Sequence, residues 1–455
     1  METQIKYHRL YFLGIGGIGM SALARYFNNN EFTIFGYDRT RTELTIELEA
    51  EGMHIHYNED IKLIPNDIDF VVYTPAIPKD SIELNFFKQE NFTLYKRAQV
   101  LGIISKMQKT IAVAGTHGKT TTSSIITHLL LHGGVKCTAF LGGIMNDYQT
   151  NYIGEKGEWV VVEADEFDRS FLHLKPHISV LNSMDADHLD IYHDHDNMLN
   201  SFQQFLELTA KDGNIYYKKE LSPDINFNTL NNYASFSSTL ESADIKAKNI
   251  NVKNGWFHFD YVNKDLHIDD LKFSLPGRHN IENAIVAITV ALQLGVSVED
   301  IRDALIHFKG IKRRFDFAIR TDSKVLIDDY AHHPTELKAA ITAARDLYPD
   351  KRITGIFQPH LFTRTRDFVD GFGESLSLLD KLILLDIYPA RELPIEGVTS
   401  KIIFDKVDIA DKTLINKSEL LELITQINLE LEVVLILGAG DIDTFVKPIK
   451  ELMKS

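Results

Sequence analysis

The chain carries one cysteine, Cys137, among 455 residues. No intramolecular disulfide can form, so no oxidising compartment is required. Cys137 follows a helical run and reads as a small packing residue rather than a nucleophile. Long apolar runs are missing too. None approaches the ~20 residues that cross a bilayer, and METQIKYHRLYFLG lacks a basic region followed by an apolar core. The expected location is the cytoplasm, with no membrane partner. Positive charge is scarce: 48 Lys and Arg stand against 64 Asp and Glu, a formal net charge of −16. No basic stripe offsets that balance, which argues against a nucleic-acid partner. Internal repeats and low-complexity segments are also absent.

What is present is ordinary for a globular protein with real cores: 44% apolar and 25% charged residues. At roughly 150 residues per domain, the length suggests about three domains. Short apolar runs alternate with longer amphipathic ones, the α/β pattern of parallel sheets. RLYFLG, FTIFGYD and FVVYTPAI read as strands, with MSALARYFNNN as a helix between the first two. The pattern restarts with the strand KTIAVAG and the helix KTTTSSIITHLLLHGG, and WVVVEADE and HISVLNSMDADHLD follow as strands. Residues 215–275 are polar, with smaller β elements. A third restart after FKGIKRRFDF brings KVLIDDY, RITGIFQPH, KLILLDIYP and VVLILGAGD, buried-type strands with polar ends. The restarts divide the chain into residues 1–107, 108–310 and 311–455. Open parallel sheets bind ligands at the C-terminal ends of their strands, so those polar ends are where sites belong.

Two glycine-rich turns stand at such ends. In LGIGGIGMS, Gly14, Gly16 and Gly19 fit G-x-G-x-x-G, with Gly17 between them and Met20 and Ser21 opening the helix. Glycines let the backbone turn tightly and approach a diphosphate at the helix N-terminus. Asp38 ends the second strand, where an acid reaches a ribose hydroxyl. These residues leave NAD(P) and another diphosphate ligand equally open. In AVAGTHGKTTT, Gly115, Thr116, His117, Gly118, Lys119, Thr120 and Thr121 join a strand to a helix. The first glycine of G-x-x-x-x-G-K-[ST] is replaced by Val113. The rest suits a triphosphate: backbone N–H groups cradle it, Lys119 offsets its charge, and Thr120 holds Mg²⁺. Downstream, Glu163, Asp165, Glu166 and Asp168 are hard-ligand carboxylates beside that loop. In DADHLDIYHDHD, His188 is the metal or phosphate candidate, and His193 and His195 read as solvated loop residues.

Taken in order, GIGGIGMS, AGTHGKTTT, VVEADEFDRSF, DADHLD, LPGRHNIENA, RRFD, DDYAHHPTE, FQPHLFTRTRDF and LDIYPARE resemble the Mur ligases over almost the whole chain. The resemblance implies three domains: a Rossmann-like N-terminal domain for a UDP-sugar, a P-loop-type central domain for ATP, and a Rossmann-like C-terminal domain for the amino acid. It implies a diphosphate of a UDP-sugar, not NAD, on Gly14, Gly16, Gly17, Gly19, Met20, Ser21 and Asp38. It implies an ATP-dependent ligase joining L-alanine to the lactyl carboxylate of UDP-N-acetylmuramate through an acyl phosphate, in peptidoglycan precursor synthesis. The protein is then a monomer or homodimer with small-molecule partners.

By the same resemblance Lys119 and Thr120 serve ATP and Mg²⁺, with Glu163 and His188 as metal ligands. His279, Asn280 and Asn283 lie near the nucleotide, and Asn280 is also placed to cap its helix. Arg314 and Asp329 reach ATP, whereas the adjacent Arg313 reads as a surface linker cation. Tyr330, His332, His333, His360 and Arg364 form the amino-acid side. Phe167, Arg169 and Leu361 depart from the family pattern, Leu361 standing where an arginine is common. Three other readings compete: a family member that recycles a tripeptide onto the same UDP-sugar, an NAD-dependent dehydrogenase built on LGIGGIGMS, and an ATP-switched scaffold without catalysis.

Overall fold

The computed structural model describes residues 8–186, 189–192, 194–390 and 392–454. Within them lie three sheets, and the chain packs into two compact units: residues 1–246 with 283–304, and residues 247–282 with 305–455.

In the first unit, the N-terminal sheet is parallel. Its strand order is His54–His56, Thr33–Tyr37, Arg9–Leu13, Phe70–Tyr73, Leu94–Lys96. The order reverses beside Arg9–Leu13, so the turn after that strand opens at the crevice where such sheets take ligands. The central sheet has ten strands, of which seven consecutive ones in this unit run Tyr233–Ser237, Asn214–Lys218, Ile178–Leu181, Lys109–Ala114, Trp159–Ala164, Cys137–Met145, Thr150–Gly154. Only the last of these pairs antiparallel. Its inner strands are continuous apolar runs because both faces are covered. Ile111–Ala114 and Val160–Val162, for example, have no solvent exposure. The helix Ile18–Asn28 joins the two sheets through one shared core, which takes in Phe12, Leu23, Phe140 and Val160. A polar pin reinforces that core. Arg25, 4% exposed, donates to Glu51 and to Asn151 Oδ1 (2.6 Å), and Asn151 donates to the carbonyl of Ile18 (2.5 Å).

In the second unit, a sheet runs Asp316–Arg320, Val325–Asp329, Val433–Leu437, Ile353–Phe357, Lys381–Leu384, Lys412–Leu414, with only the first strand antiparallel. Separate apolar clusters cover its two faces, one around Leu337 and Phe372, the other around Ile424 and Ile449. The polar segment forecast to hold small β elements does so. Its last two strands, Trp256–Val262 and His267–Phe273, pair antiparallel in this second unit. No described helix is long and apolar enough to cross a membrane.

Candidate active site

The phosphate loop leaves the strand Lys109–Ala114 and enters the helix Lys119–His132. Gly115 (φ +135°) and Gly118 (φ +80°) take the left-handed conformations the turn needs, which other residues adopt only under strain. The neighbouring strand end holds the loop. Ser183 Oγ accepts from the His117 amide (2.7 Å) and lies 3.0 Å from Thr116 Oγ1. Asn182 donates to Thr122 Oγ1 (2.8 Å), which donates to Asn283 Oδ1 (3.0 Å). Asn283, far away in sequence, therefore lies beside the loop. Asn182 and Ser183 were missed, although both sit just past Leu181, whose strand pairs with the one that feeds the loop.

Lys119 Nζ donates to the carbonyl of Gly115 (2.6 Å) and to Glu166 Oε1 (3.0 Å). Burial opposes its charge, but Glu166, Glu163 and Asp165 outweigh that and hold its pKa above the usual lysine value. Glu166 is thus the lysine's counter-ion, a role the sequence reading did not give it. Thr120 Oγ1 donates to Glu163 Oε2 (2.8 Å). The Glu163 carboxylate fills the space that a side chain at Gly142 would take. His117 lies 3.2 Å from Asp185. His188 and His193 lie outside the described residues. His195 begins a helix and lies 2.8 Å from the carbonyl of Met184 through Nε2, so it is not a free loop residue. Among the described residues, no group of three or more His, Cys, Asp or Glu side chains forms a ready-made metal cage.

The first glycine turn opens the helix Ile18–Asn28, whose N-terminus carries no side-chain cap. Gly14 sits at φ +80°, and its amide donates to the carbonyl of Tyr37 (2.8 Å). Asp38 Oδ2 accepts from the amide of Gly16 (2.8 Å), so this acid closes the turn. The tolerance limit at Gly16 is packing rather than φ: a Cβ there would lie 2.7 Å from Thr45 Cγ2 and 2.9 Å from Asp38 Oδ2. At Gly19 the close neighbour is Arg97 Nη1, 2.7 Å from an added Cβ, and Arg97 Nη2 donates to Asp165 (2.7 Å). A cavity of about 330 Å³ opens beside the first turn, lined by Gly17, Met20 and Arg97 and by Gly142, Glu163 and Asp165 of the central sheet and the segment that follows it.

The departures Phe167 and Arg169 fall in a distorted turn. Asp168 and Arg169 are both left-handed (φ 53° and 52°), Lys96 bonds Asp168 (2.8 Å), and Arg169 lies over the Tyr192 ring (5.0 Å).

In the second unit, the carboxylate of Asp329 ends its strand and accepts from the amides of Phe315 (2.8 Å) and Ala331 (2.7 Å). Burial pushes its pKa up to about 6, against the opposing pull of Arg314. Arg313 and Phe315, on either side of Arg314, are left-handed (φ 61° and 49°). Such strain persists only where the surroundings enforce it, and it clusters at functional sites. Arg313 corrects the linker reading. It is half-buried, donates to the carbonyl of Gly438 (2.6 Å) and pairs with Asp443 (3.2 Å), clamping the third sheet's loops. Asn280 corrects another expectation. The helix begins at Arg278, so Asn280 lies inside the first turn, donating to the carbonyl of Pro276 (2.5 Å) rather than capping. His279, in the same unit, occupies the space beside Gly277 (φ +104°).

Tyr330, His332, His360 and Arg364 come together. The rings of Tyr330 and His332 lie 5.2 Å apart and those of His332 and His360 5.9 Å apart, and Arg364 Nη1 is 3.5 Å from His360 Nδ1. His333 is spent differently: it caps the helix Pro334–Leu347 and packs on Phe368 (4.7 Å). Leu361 adopts φ +70°, ψ 139°, a region nearly reserved for glycine, held by its amide's bond to the carbonyl of Tyr388 (3.0 Å).

A Mur ligase family catalytic-domain model matches residues 9–109, a Mur ligase middle-domain model residues 113–291, and a Mur ligase glutamate-ligase-domain model residues 313–440. The chain belongs to the Mur ligase family. This Mur ligase is 49% identical over 449 residues to the UDP-N-acetylmuramate–L-alanine ligase of Christiangramia forsetii, with 97% of each chain covered. It is 48% identical over 451 residues to that of Parabacteroides distasonis, covering 98% of this chain and 97% of the other. A solved UDP-N-acetylmuramate–alanine ligase from Thermotoga maritima superimposes with TM-score 0.84 at 27% identity, covering 98% and 99% of the two chains. A murein peptide ligase from Psychrobacter arcticus shares the fold, with TM-score 0.72 at 23% identity over 98% of each chain.

Proposed function

We propose that this Mur ligase joins L-alanine to the lactyl carboxylate of UDP-N-acetylmuramate with ATP, in peptidoglycan synthesis. One observation carries the reading at the level of the site: a single cavity is bounded by the diphosphate-type turn Gly17–Met20 and by Glu163, the carboxylate bonded to Thr120 of the phosphate loop. A dehydrogenase would use the first turn and leave Lys119, Thr120 and Glu163 without a task.

A carboxylate is a poor acyl donor, so the γ-phosphoryl group of ATP moves to the lactyl oxygen and ADP leaves. The alanine amine then attacks the acyl carbon, the C–N bond forms, and the C–O bond to phosphate breaks. Phosphoryl transfer depends on alignment and charge neutralisation. Lys119 is assigned to the β/γ-phosphates, exchanging Glu166 and the Gly115 carbonyl for phosphate oxygens. The Gly115–Thr121 backbone cradles the chain of phosphates, with Asn283 at its side and His279, Asn280, Arg314 and Asp329 assigned to the nucleotide. The Thr120 hydroxyl and Glu163 carboxylate, hard oxygen donors 2.8 Å apart, fit Mg²⁺, with His188 as a further assigned ligand. Bound there, Mg²⁺ would neutralise charge on the transferring phosphate. Gly14, Gly16, Gly17, Gly19, Met20, Ser21 and Asp38 are assigned to the UDP-sugar. Tyr330, His332, His360 and Arg364 are assigned to the amino acid, Arg364 being suited to its carboxylate, whereas His333 serves its helix as a cap. The proposed setting is the cytoplasm, as monomer or homodimer.

The test is phosphate release from ATP with UDP-N-acetylmuramate and a panel comprising L-alanine, L-serine, glycine and a murein tripeptide. Release that depends on L-alanine is expected. Release with the tripeptide alone would move the assignment to the recycling reaction, and release with none would return the scaffold reading.

A further inference from the structure

We propose that Tyr388 is a positioning residue for the amino-acid side of the site, acting through His360. The inference rests on the assignment of His360 to L-alanine. Tyr388 belongs to none of the described strands. It lies in the loop after Lys381–Leu384, and its backbone grips the peptide around His360 from both sides. The amide of Tyr388 donates to the carbonyl of Pro359 (2.8 Å), and its carbonyl accepts from the amide of Leu361 (3.0 Å), a short parallel bridge between His360 and Tyr388. That bridge holds Leu361 at its strained φ of +70° and so fixes the direction in which the His360 side chain leaves the backbone.

The side chain completes the grip. The phenol ring lies nearly parallel to the His360 imidazole, centroids 5.8 Å apart at 18°, while His332 meets the same imidazole edge-on at 5.9 Å and 77°. An imidazole on a two-bond stem, packed by one ring in parallel and another at right angles, has few rotamers left, and its Nδ1 is kept beside Arg364. Gly440 lies against the root of the Tyr388 side chain: a Cβ there would lie 2.7 Å from Tyr388 Cγ and 2.8 Å from Tyr388 Cβ, as well as 2.5 Å from Gln358 Oε1. The absence of a side chain at Gly440 is what lets the phenol ring sit where it does. The file Gly440–Tyr388–His360–His332–Tyr330 thus runs through the second unit and ends under Arg314, whose guanidinium lies 5.1 Å from the Tyr330 ring.

Steady-state kinetics with all three substrates test this. Tyr388→Leu keeps the backbone bridge and removes the stack. Its KM for L-alanine is expected to rise tenfold or more, with the KM values for ATP and UDP-N-acetylmuramate within twofold of the parent. Tyr388→Phe, which keeps the ring, should restore parental values within twofold. Gly440→Ala, pushing an intact Tyr388 off its seat, should reproduce the alanine-specific rise and stands in should the leucine variant not fold. In a His360→Ala background, Tyr388→Leu should add nothing further, because the two act as one unit. An unchanged alanine KM in both Tyr388→Leu and Gly440→Ala, or an equal rise for all three substrates, would overturn the inference. If His360→Ala itself leaves the alanine KM unchanged, it is the assignment of His360 to the amino acid that fails.

Discussion

Lys119 and Glu166 cannot be altered independently. Glu166 is 2% exposed, and the lysine is its close counter-charge, 2.8 Å away. Lys119→Ala removes a cation assigned to the transferring phosphate, a loss of roughly 3–4 kcal/mol in the transition state, or a hundredfold and more in rate. It also strands a buried carboxylate, which costs about 3 kcal/mol of stability. The expected result is ligation below a tenth of the parent together with a lowered melting temperature. Adding Glu166→Gln should restore melting but not activity. A single variant that melts like the parent would show that the pair contributes little to folding. Glu163 offers a second test at this scale. Gly142→Ala would drive a methyl group into its carboxylate, so the Mg²⁺ concentration for half-maximal activity should rise several-fold while the KM for UDP-N-acetylmuramate stays near parental. Equal Mg²⁺ titration curves for the two proteins would mean that Glu163 is not a ligand.

At the scale of elements, the glycine turn before the helix Ile18–Asn28 is a construction of three segments. Asp38, past the second strand, ties the Gly16 amide, and Thr45, inside the capping box of the helix Glu43–Ala50, closes the space above it. Gly16→Val should therefore raise the KM for UDP-N-acetylmuramate well above any change for ATP, because the displaced parts, Asp38 and Thr45, all lie in the segments around the N-terminal sheet. Equal rises would indicate general damage to the fold. The turn itself was legible because the G-x-G-x-x-G spacing sits between a run with strand periodicity and one with helix periodicity. Four strands of the third sheet were legible for a similar reason: Val325–Asp329, Ile353–Phe357, Lys381–Leu384 and Val433–Leu437 lie in continuous apolar runs with polar ends, whereas the partly exposed edge strands Asp316–Arg320 and Lys412–Leu414 carry no such run. Less legible was whatever depends on which segments become neighbours. Asn182 and Ser183 look like ordinary loop residues until their strand pairs beside the phosphate loop. Arg313 reads as a linker cation because its partners, Gly438 and Asp443, lie on the far side of the third sheet in sequence. Asn280 misled because capping preference is a local rule, and here the helix starts two residues earlier, after the left-handed Gly277.

Across the whole molecule, pH acts through a few buried carboxyls. Burial raises Glu83 from 4.5 to about 7, against the bonds it accepts from Tyr11 (2.5 Å) and the amide of Asp60 (3.1 Å), and it raises Asp328 to about 7. A carboxyl raised in the folded state is protonated there while still ionised in the unfolded chain. Its contribution is complete below the unfolded pKa and is lost as pH climbs through the folded value. Glu220, Asp244, Asp260 and Asp441 are held below their ordinary values, so they titrate beneath this window. The urea midpoint of Glu83→Gln should accordingly change less between pH 5 and pH 7.5 than that of the parent, the parent losing up to about 3 kcal/mol more over that range. Parallel curves would show that Glu83 does not carry the effect. The lone thiol has a further consequence. Cys137 starts an inner strand of the central sheet, fully buried, with its pKa pushed up to about 12 by that burial. A disulfide reagent can label it only when that strand lifts away, so the labelling rate is a clock for opening of the nucleotide-binding sheet, with no engineered probe and no second site to confuse the signal. Where labelling follows the opening equilibrium, nucleotide at a hundred times its Kd should slow the clock about a hundredfold.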